Sequence, residues 1–142
     1  MYTKQLSVFI ENRQGRLGEV LQVLRENEVN ILSLSLADTT EYGLLRLIVN
    51  NPVLGREKLA LNGFSTMLTD VLVIKIPHQA GSLQKLLEVL SQKGINIEYM
   101  YGLSIEGAEA SVVVKASNLE DALKVINQIG VDTLTTEDLI NK

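Results

Sequence analysis

LSVFIENRQGRLGEVLQVLRENEVNI, residues 6–31, lies without a gap over LVIKIPHQAGSLQKLLEVLSQKGINI, residues 72–97. The offset is 66 residues throughout. Leu6 falls on Leu72, Ile10 on Ile76, Gly15 on Gly81 and Leu17 on Leu83. Leu21, Val23 and Leu24 fall on Leu87, Val89 and Leu90, and Asn30-Ile31 closes on Asn96-Ile97. One register held through a strand, a loop, a helix and a second strand identifies a duplicated domain, since solenoid repeats are only roughly 20–50 residues long. The two copies are read as residues 1–69 and 70–142.

Each copy spells the same elements. Leu6, Val8 and Ile10 alternate with Ser7, Phe9 and Glu11, the period of a strand with one buried face, and Leu72, Ile74 and Ile76 keep the same parity. Leu17, Val20, Leu21 and Leu24 then form one helical stripe, as do Leu83, Leu86, Leu87 and Leu90. Gly94 suits the left-handed turn that ends the second of these helices. The first copy has Glu28 there, so its turn is assigned to Asn27.

Second strands follow at about 31–37 and 97–105, and third strands at 44–49 and 110–115. The turns Thr39-Thr40-Glu41-Tyr42-Gly43 and Glu106-Gly107-Ala108 are short enough for hairpins. Asn51-Pro52 reads as a helix cap with proline in the first turn, ahead of a patchy stripe of Leu54, Leu59 and Leu61. Ser117-Asn118-Leu119-Glu120 reads as a capping box opening a helix with Leu119, Ala122, Leu123 and Ile126 on one face. Last strands span 64–69 and 131–134. The order is βαββαβ twice: an α+β, ferredoxin-like fold duplicated in tandem, with antiparallel sheets and helices on one face.

Composition narrows the function. Hydrophobic residues make up 46% of the 142, ample for a core. A net charge of −4 without a basic run argues against nucleic acid and anionic membranes. There is no cysteine, hence no disulfide framework and no thiolate site. No apolar run reaches the ~18–20 residues of a membrane span, and the first residues lack the apolar core of a secretion signal. A soluble, cytoplasmic protein is expected. A copy of about 66 residues buries only about 60% of its unfolded surface and has open sheet edges, so the copies are expected to pair edge to edge. Leu44, Arg46 and Ile48 stand opposite Leu45, Leu47 and Val49, so this strand is largely apolar on both faces, which predicts a covered second face and a homodimer.

The candidate chemistry lies where the first strand of each copy enters its helix. Asn12, Arg13, Gln14, Gly15, Arg16 and Leu17 form one loop, and His78, Gln79, Ala80, Gly81, Ser82 and Leu83 the other. A helix start offers N–H donors and a positive dipole end that favour an anion, and glycine lets backbone approach a ligand. A carboxylate is a suitable guest, with an ammonium met by the Asn12 side chain or by backbone carbonyls. The same glycines also serve a plain tight turn.

Asn12-x-x-Gly15-x-Leu17, with its amphipathic helix ending in Val29-Asn30-Ile31, resembles an ACT domain, and Gly81-Ser82-Leu83 through Lys93-Gly94-Ile95-Asn96-Ile97 resembles it more closely. The resemblance spans the chain as two tandem domains. It implies regulatory binding of a small molecule, most often an amino acid, where the glycine loop of one domain meets the second strand of a paired domain. Beside the loops, it points to Asn30, Ile31, Leu32, Ser33 and Leu34 in copy one and to Asn96, Ile97, Glu98, Tyr99 and Met100 in copy two.

The copies differ at these places. His78 follows Pro77 where the family often has Asp or Asn before the glycine, and Arg13 and Arg16 face neutral Gln79 and Ser82. An extra negative charge would suit copy one, although solvated surface arginines are the commoner explanation. Tyr99 and Tyr101 replace Ser33 and Ser35, either walling a pocket or filling an interface. His78, the single histidine, has no serine, cysteine or metal-ligand cluster beside it. The carboxylates Glu106, Glu109, Glu120, Asp121, Glu137 and Asp138 fall on turns and helix starts. No catalytic residue, metal site or cofactor is expected. The expected function is a freestanding, amino-acid-binding regulatory module; the alternative is a ligand-independent regulatory or interaction subunit of a biosynthetic enzyme.

Overall fold

β1 (Thr3–Glu11) is a strand because Leu6, Val8 and Ile10 alternate onto one face, and all three are buried against helices. The computed structural model describes residues 2–11, 13–38 and 41–140. These pack into two units. One is Lys4–Thr69; the other starts at Asp70 and takes in Tyr2 and Thr3 from the start of the chain.

In the first unit, β1 is followed by α1 (Arg16–Glu26), β2 (Ile31–Asp38), β3 (Tyr42–Val49), α2 (Pro52–Leu61) and β4 (Ser65–Pro77). Strand order is β2-β3-β1-β4, and β3 is antiparallel to both β1 and β2. The second unit continues with α3 (Ser82–Gln92), β5 (Ile97–Glu106), β6 (Glu109–Ala116), α4 (Leu119–Gln128), β7 (Asp132–Leu134) and α5 (Thr136–Ile140). There β6 and β7 flank β4, and β5 lies outside β6, all antiparallel. Both units are ferredoxin-like βαββαβ folds. The strand expected at 64–69 and the one expected through Leu72, Ile74 and Ile76 are one strand of 13 residues. α5 was not anticipated.

Each unit has its own core. Leu6, Leu45 and Leu47 of the first sheet meet Val20 and Leu24 of α1 and Leu59 of α2. Leu72, Ile74 and Val114 meet Leu86 and Leu90 of α3 and Ile126 of α4. The helix stripes are rotated slightly from the sequence reading. Val23 joins the first core, whereas Leu17 is 37% and Leu61 78% exposed. Ile48, on the opposite face of β3 from Leu47, is already fully buried within the chain, so it does not by itself call for a second copy. No helix among the described residues is long and apolar enough to cross a membrane.

Helix ends follow local chemistry with two corrections. The Asn51 side chain accepts the Leu54 N–H at 3.2 Å, with Pro52 in the first turn as expected. For α4 the cap is Asn118, not Ser117: its side chain accepts the Asp121 N–H at 3.0 Å, while the Ser117 N–H donates to the Asn96 carbonyl at 2.9 Å. After α1 the left-handed residue is Glu28 (φ 56°), not Asn27 (φ −105°). The reason is the closing pair of backbone bonds. Val29 N–H donates to Leu24 O at 2.9 Å and Glu28 N–H to Arg25 O at 3.1 Å, which puts the αL residue directly before Val29 whatever its side chain. Gly94 (φ 76°) occupies the matching place before Ile95.

Candidate functional site

The two strand-to-helix loops share one backbone shape. Gly15 has φ 87° and ψ −9°, and Gly81 φ 87° and ψ −10°, left-handed values that only glycine takes without strain. Arg13 N–H donates to Glu11 O at 2.7 Å, and Gln79 N–H donates to Pro77 O at 2.9 Å. The helices then close from Gly15 O to Glu19 N–H and from Gly81 O to Lys85 N–H. Each glycine is the helix cap and offers no side-chain acceptor, so the first turn depends on backbone and surroundings. Asn12, expected in this loop, lies outside the described residues. In the second loop the His78 N–H donates to Ala108 O at 2.7 Å, fixing the backbone there to the β5–β6 turn.

The side chains divide sharply. Arg13 is 63% exposed and 4.0 Å from the Glu11 carboxylate, a solvated cation as read. Arg16 is not. Its side chain is only 14% exposed, its guanidinium carbon sits 4.2 Å from the centroid of Phe64, and one Nη pairs with Glu19. Its Nε–H is buried with no acceptor, a state that costs about 1–3 kcal/mol when neither protein nor water supplies one. Arg16 lines a cavity of about 300 Å³ together with Phe9, Glu11, Tyr42, Gly63 and Ser65.

Of these, Phe9, Glu11, Tyr42, Gly63 and Ser65 were missed by sequence reasoning. The β1 alternation already turned Phe9 and Glu11 away from the core, and an aromatic ring on that face beside a glycine turn was the available signal. The sequence puts Tyr42 in the turn Thr39-Thr40-Glu41-Tyr42-Gly43. Tyr42 is the first residue of β3, paired with Glu11, so its ring comes edge to face with Phe9 at a centroid distance of 6.2 Å.

The strand positions implied by the family lie elsewhere in the same unit. Glu11, just before the first loop, pairs with Tyr42, and the next residue of β3, Gly43, pairs with Asp38, whereas Ile31 is level with Val49 at the other end of the sheet. Pro77 and Ile97 are separated in the same way, opposite Glu109 and Ala116. Asn30 N–H donates to Asn50 Oδ1 at 2.8 Å, and Asn96 Nδ2 donates to Ser117 Oγ at 3.2 Å, so both asparagines secure strand ends. Ile31, Ile97 and Met100 pack against the cores. Leu32, Ser33 and Tyr99 are half-buried, and Leu34 and Glu98 are exposed. Gln14, Leu17, Gln79, Ala80 and Leu83 are exposed and Ser82 half-buried. Each unit therefore brings its loop residues together but not loop and strand. Among the described residues no three His, Cys, Asp or Glu side chains are grouped to hold a metal ion.

Protein BT0572 from Bacteroides thetaiotaomicron, known from its crystal structure, is 40% identical over 98% of this chain and 96% of its own, with a TM-score of 0.93. The ligand-free regulatory subunit of aspartate kinase from Thermus thermophilus is 19% identical over 88% of this chain and 90% of its own, with a TM-score of 0.64. The corresponding subunit from Thermus flavus is likewise 19% identical over 88% and 90%, with a TM-score of 0.57. At that identity the likeness is one of fold. No curated protein matches the chain. The family described as an ACT domain pair matches residues 1–142, end to end over the two βαββαβ units. The chain belongs to the ACT domain pair family.

Proposed function

We propose that this protein is a freestanding regulatory module that binds an amino acid at its glycine loops and carries out no chemistry of its own. The observation that carries the reading is the matched pair of glycine caps, Gly15 and Gly81, each opening a helix in the left-handed conformation without a side-chain cap. Such a turn presents N–H donors and the positive end of a helix to a carboxylate. The same architecture serves as regulatory subunits of aspartate kinase in Thermus, which supports a regulatory role here.

Because Gly15 and Asn30 lie at opposite ends of one sheet, the strand completing each loop site would come from a paired domain, which a homodimer supplies. A ligand bound there favours one arrangement of domains only by the difference in its affinity for the alternatives, and that difference is what a target enzyme or regulator would sense. The test is a thermal-shift screen of the twenty amino acids at millimolar concentration. A ligand present at about 100 times its Kd adds about 2.7 kcal/mol, a shift of several degrees. A melting temperature unmoved by all twenty would sink the reading and leave the ligand-independent subunit in its place.

A further inference from the structure

The cavity beside Gly15 says what kind of molecule the first unit would take. Three chemistries meet there. Arg16 supplies a cation whose Nε–H has no acceptor. Phe9 and Tyr42 supply an aromatic wall, with rings 39% and 46% exposed by residue. Glu11 supplies a carboxylate at the rim, its side chain 69% exposed. The volume of about 300 Å³ stands at the small end of ligand sites, suiting a molecule of amino-acid size rather than a nucleotide. The Arg16–Glu19 pair is half in solvent on the glutamate side and so weakly held. Glu19 engages Nη1, so the edge formed by Nε–H and Nη2, which a carboxylate takes in bidentate fashion, is not the one it occupies.

The second unit lacks all three features at the matching places. The sheet registers, Glu11 with Tyr42 and Pro77 with Glu109, make Lys75 the counterpart of Phe9 and Glu109 that of Tyr42. Lys75 Nζ and Glu109 Oε1 satisfy each other at 3.6 Å, so both charges are spent. Ser82 replaces Arg16, and Pro77 replaces Glu11.

We infer that the cavity bounded by Phe9, Tyr42 and Arg16 is a binding site for a small carboxylate with an apolar body, and that the chain has one such site, in its first unit. An α-amino acid with an apolar side chain has this chemistry, with its ammonium available to Glu11; so has the deaminated acid. The inference rests on reading the protein as a ligand-binding module and narrows the ligand of that loop.

Isothermal titration calorimetry on the full chain tests it with L-phenylalanine, L-leucine, 3-phenylpropionate, phenethylamine and L-serine. The apolar carboxylates are expected to bind at one per chain, with phenethylamine and serine weaker by roughly tenfold or more. Arg16→Gln should weaken binding by a similar factor. Ser65→Phe, a substitution at an exposed position, should fill the cavity and abolish binding while leaving the melting temperature in place. Lys75→Met and Glu109→Gln should change nothing. Phenylalanine bound better than phenylpropionate, with the preference erased by Glu11→Gln, identifies the amino acid; equal binding identifies the simple carboxylate. Either result upholds the site. Binding of phenethylamine as tight as that of phenylpropionate overturns it, as does indifference to both Arg16→Gln and Ser65→Phe. If polar amino acids alone bind, the inference falls and the regulatory reading stands. If deaminated acids bind and none of the twenty amino acids does, the site stands and the amino-acid reading falls.

Discussion

Phe9 and Tyr42 meet edge to face across β1 and β3 at the place where Lys75 and Glu109 form an ion pair across β4 and β6. Both contacts are diagonals of matching antiparallel registers, β1 with β3 and β4 with β6. Duplication kept the backbone and exchanged the force: one unit holds this corner with apolar contact and the other with opposite charge.

The two diagonals should therefore respond differently to salt. A double-mutant cycle on Phe9→Leu and Tyr42→Leu, read by urea unfolding, is expected to give a coupling of about 0.5 kcal/mol, the low end for aromatic pairs because both rings are partly exposed. It should persist in about 1 M sodium chloride. Lys75→Met with Glu109→Gln should give about 0.2–1 kcal/mol at low salt and nearly nothing at high salt. An aromatic coupling that vanished with salt would contradict the contact described.

Glu28 holds a conformation that its counterpart Gly94 takes freely, at φ 56° against 76°. Glu28→Gly should raise stability by about 0.5–1 kcal/mol, the relief of left-handed strain less the added freedom of glycine in the unfolded chain. Gly94→Glu should lower it by a similar amount. Chemical denaturation of the pair of variants checks the sign, and a destabilised Glu28→Gly would refute the account.

These residues also show what the sequence could and could not disclose. The repeat, both glycine turns and the Asn51-Pro52 cap were legible because each depends on a few neighbouring residues with a single backbone solution. Glu28 was not, since the hydrogen-bonded closure by Val29 overrode the preference of asparagine for the left-handed turn. Arg16 read as one surface arginine among two, because its burial depends on Phe64, 48 positions away in the chain. Tyr42 was hidden in a turn until the β1–β3 register paired it with Glu11. The fold was set by local pattern, and the cavity by long-range register.

Gly55 offers a packing test. A Cβ there would lie 3.1 Å from Leu6 Cδ2, 3.5 Å from Leu24 Cδ2 and 3.6 Å from Val29 Cγ1. Gly55→Val is expected to cost about 1–3 kcal/mol through overpacking. Gly55→Ala should stay within about 1 kcal/mol of the parent, since its helix preference offsets a tight contact. Gly18, with nothing within 4 Å of its Cβ position, is the control, and Gly18→Ala should gain up to about 1 kcal/mol. Differential scanning calorimetry of the three decides it; a neutral Gly55→Val would mean the helix–sheet contact is slack.

Asp138 predicts a pH response at α5. Its carboxylate accepts the Thr135 N–H at 2.8 Å, and that backbone bond, with help from the Thr135 side chain, holds its pKa below the ordinary aspartate range. A depressed folded-state pKa stabilises above the unfolded value, and the contribution is lost as pH falls through the folded one. Order in α5 should thus weaken on acidification while both cores persist. Carboxyl carbon NMR titration should place Asp138 below a matching unfolded peptide, with Thr135→Val moving it part of the way back. A folded value at or above the peptide's would refute the bond.

Thr3 is fully buried and its Oγ1 donates to the Leu134 carbonyl at 3.0 Å, across 131 residues of chain. That bond separates the order of synthesis from the order of completion. Lys4–Thr69 is contiguous and can fold as soon as it leaves the ribosome, whereas the other unit waits for both its own late strands and an early segment held in reserve. The Thr3–Leu134 contact has a very long sequence separation, the kind that forms slowly. Refolding should accordingly show a fast phase reporting on Phe64 and its neighbours and a slower one reporting on Tyr2, so the two copies that share a fold would differ in when they acquire it.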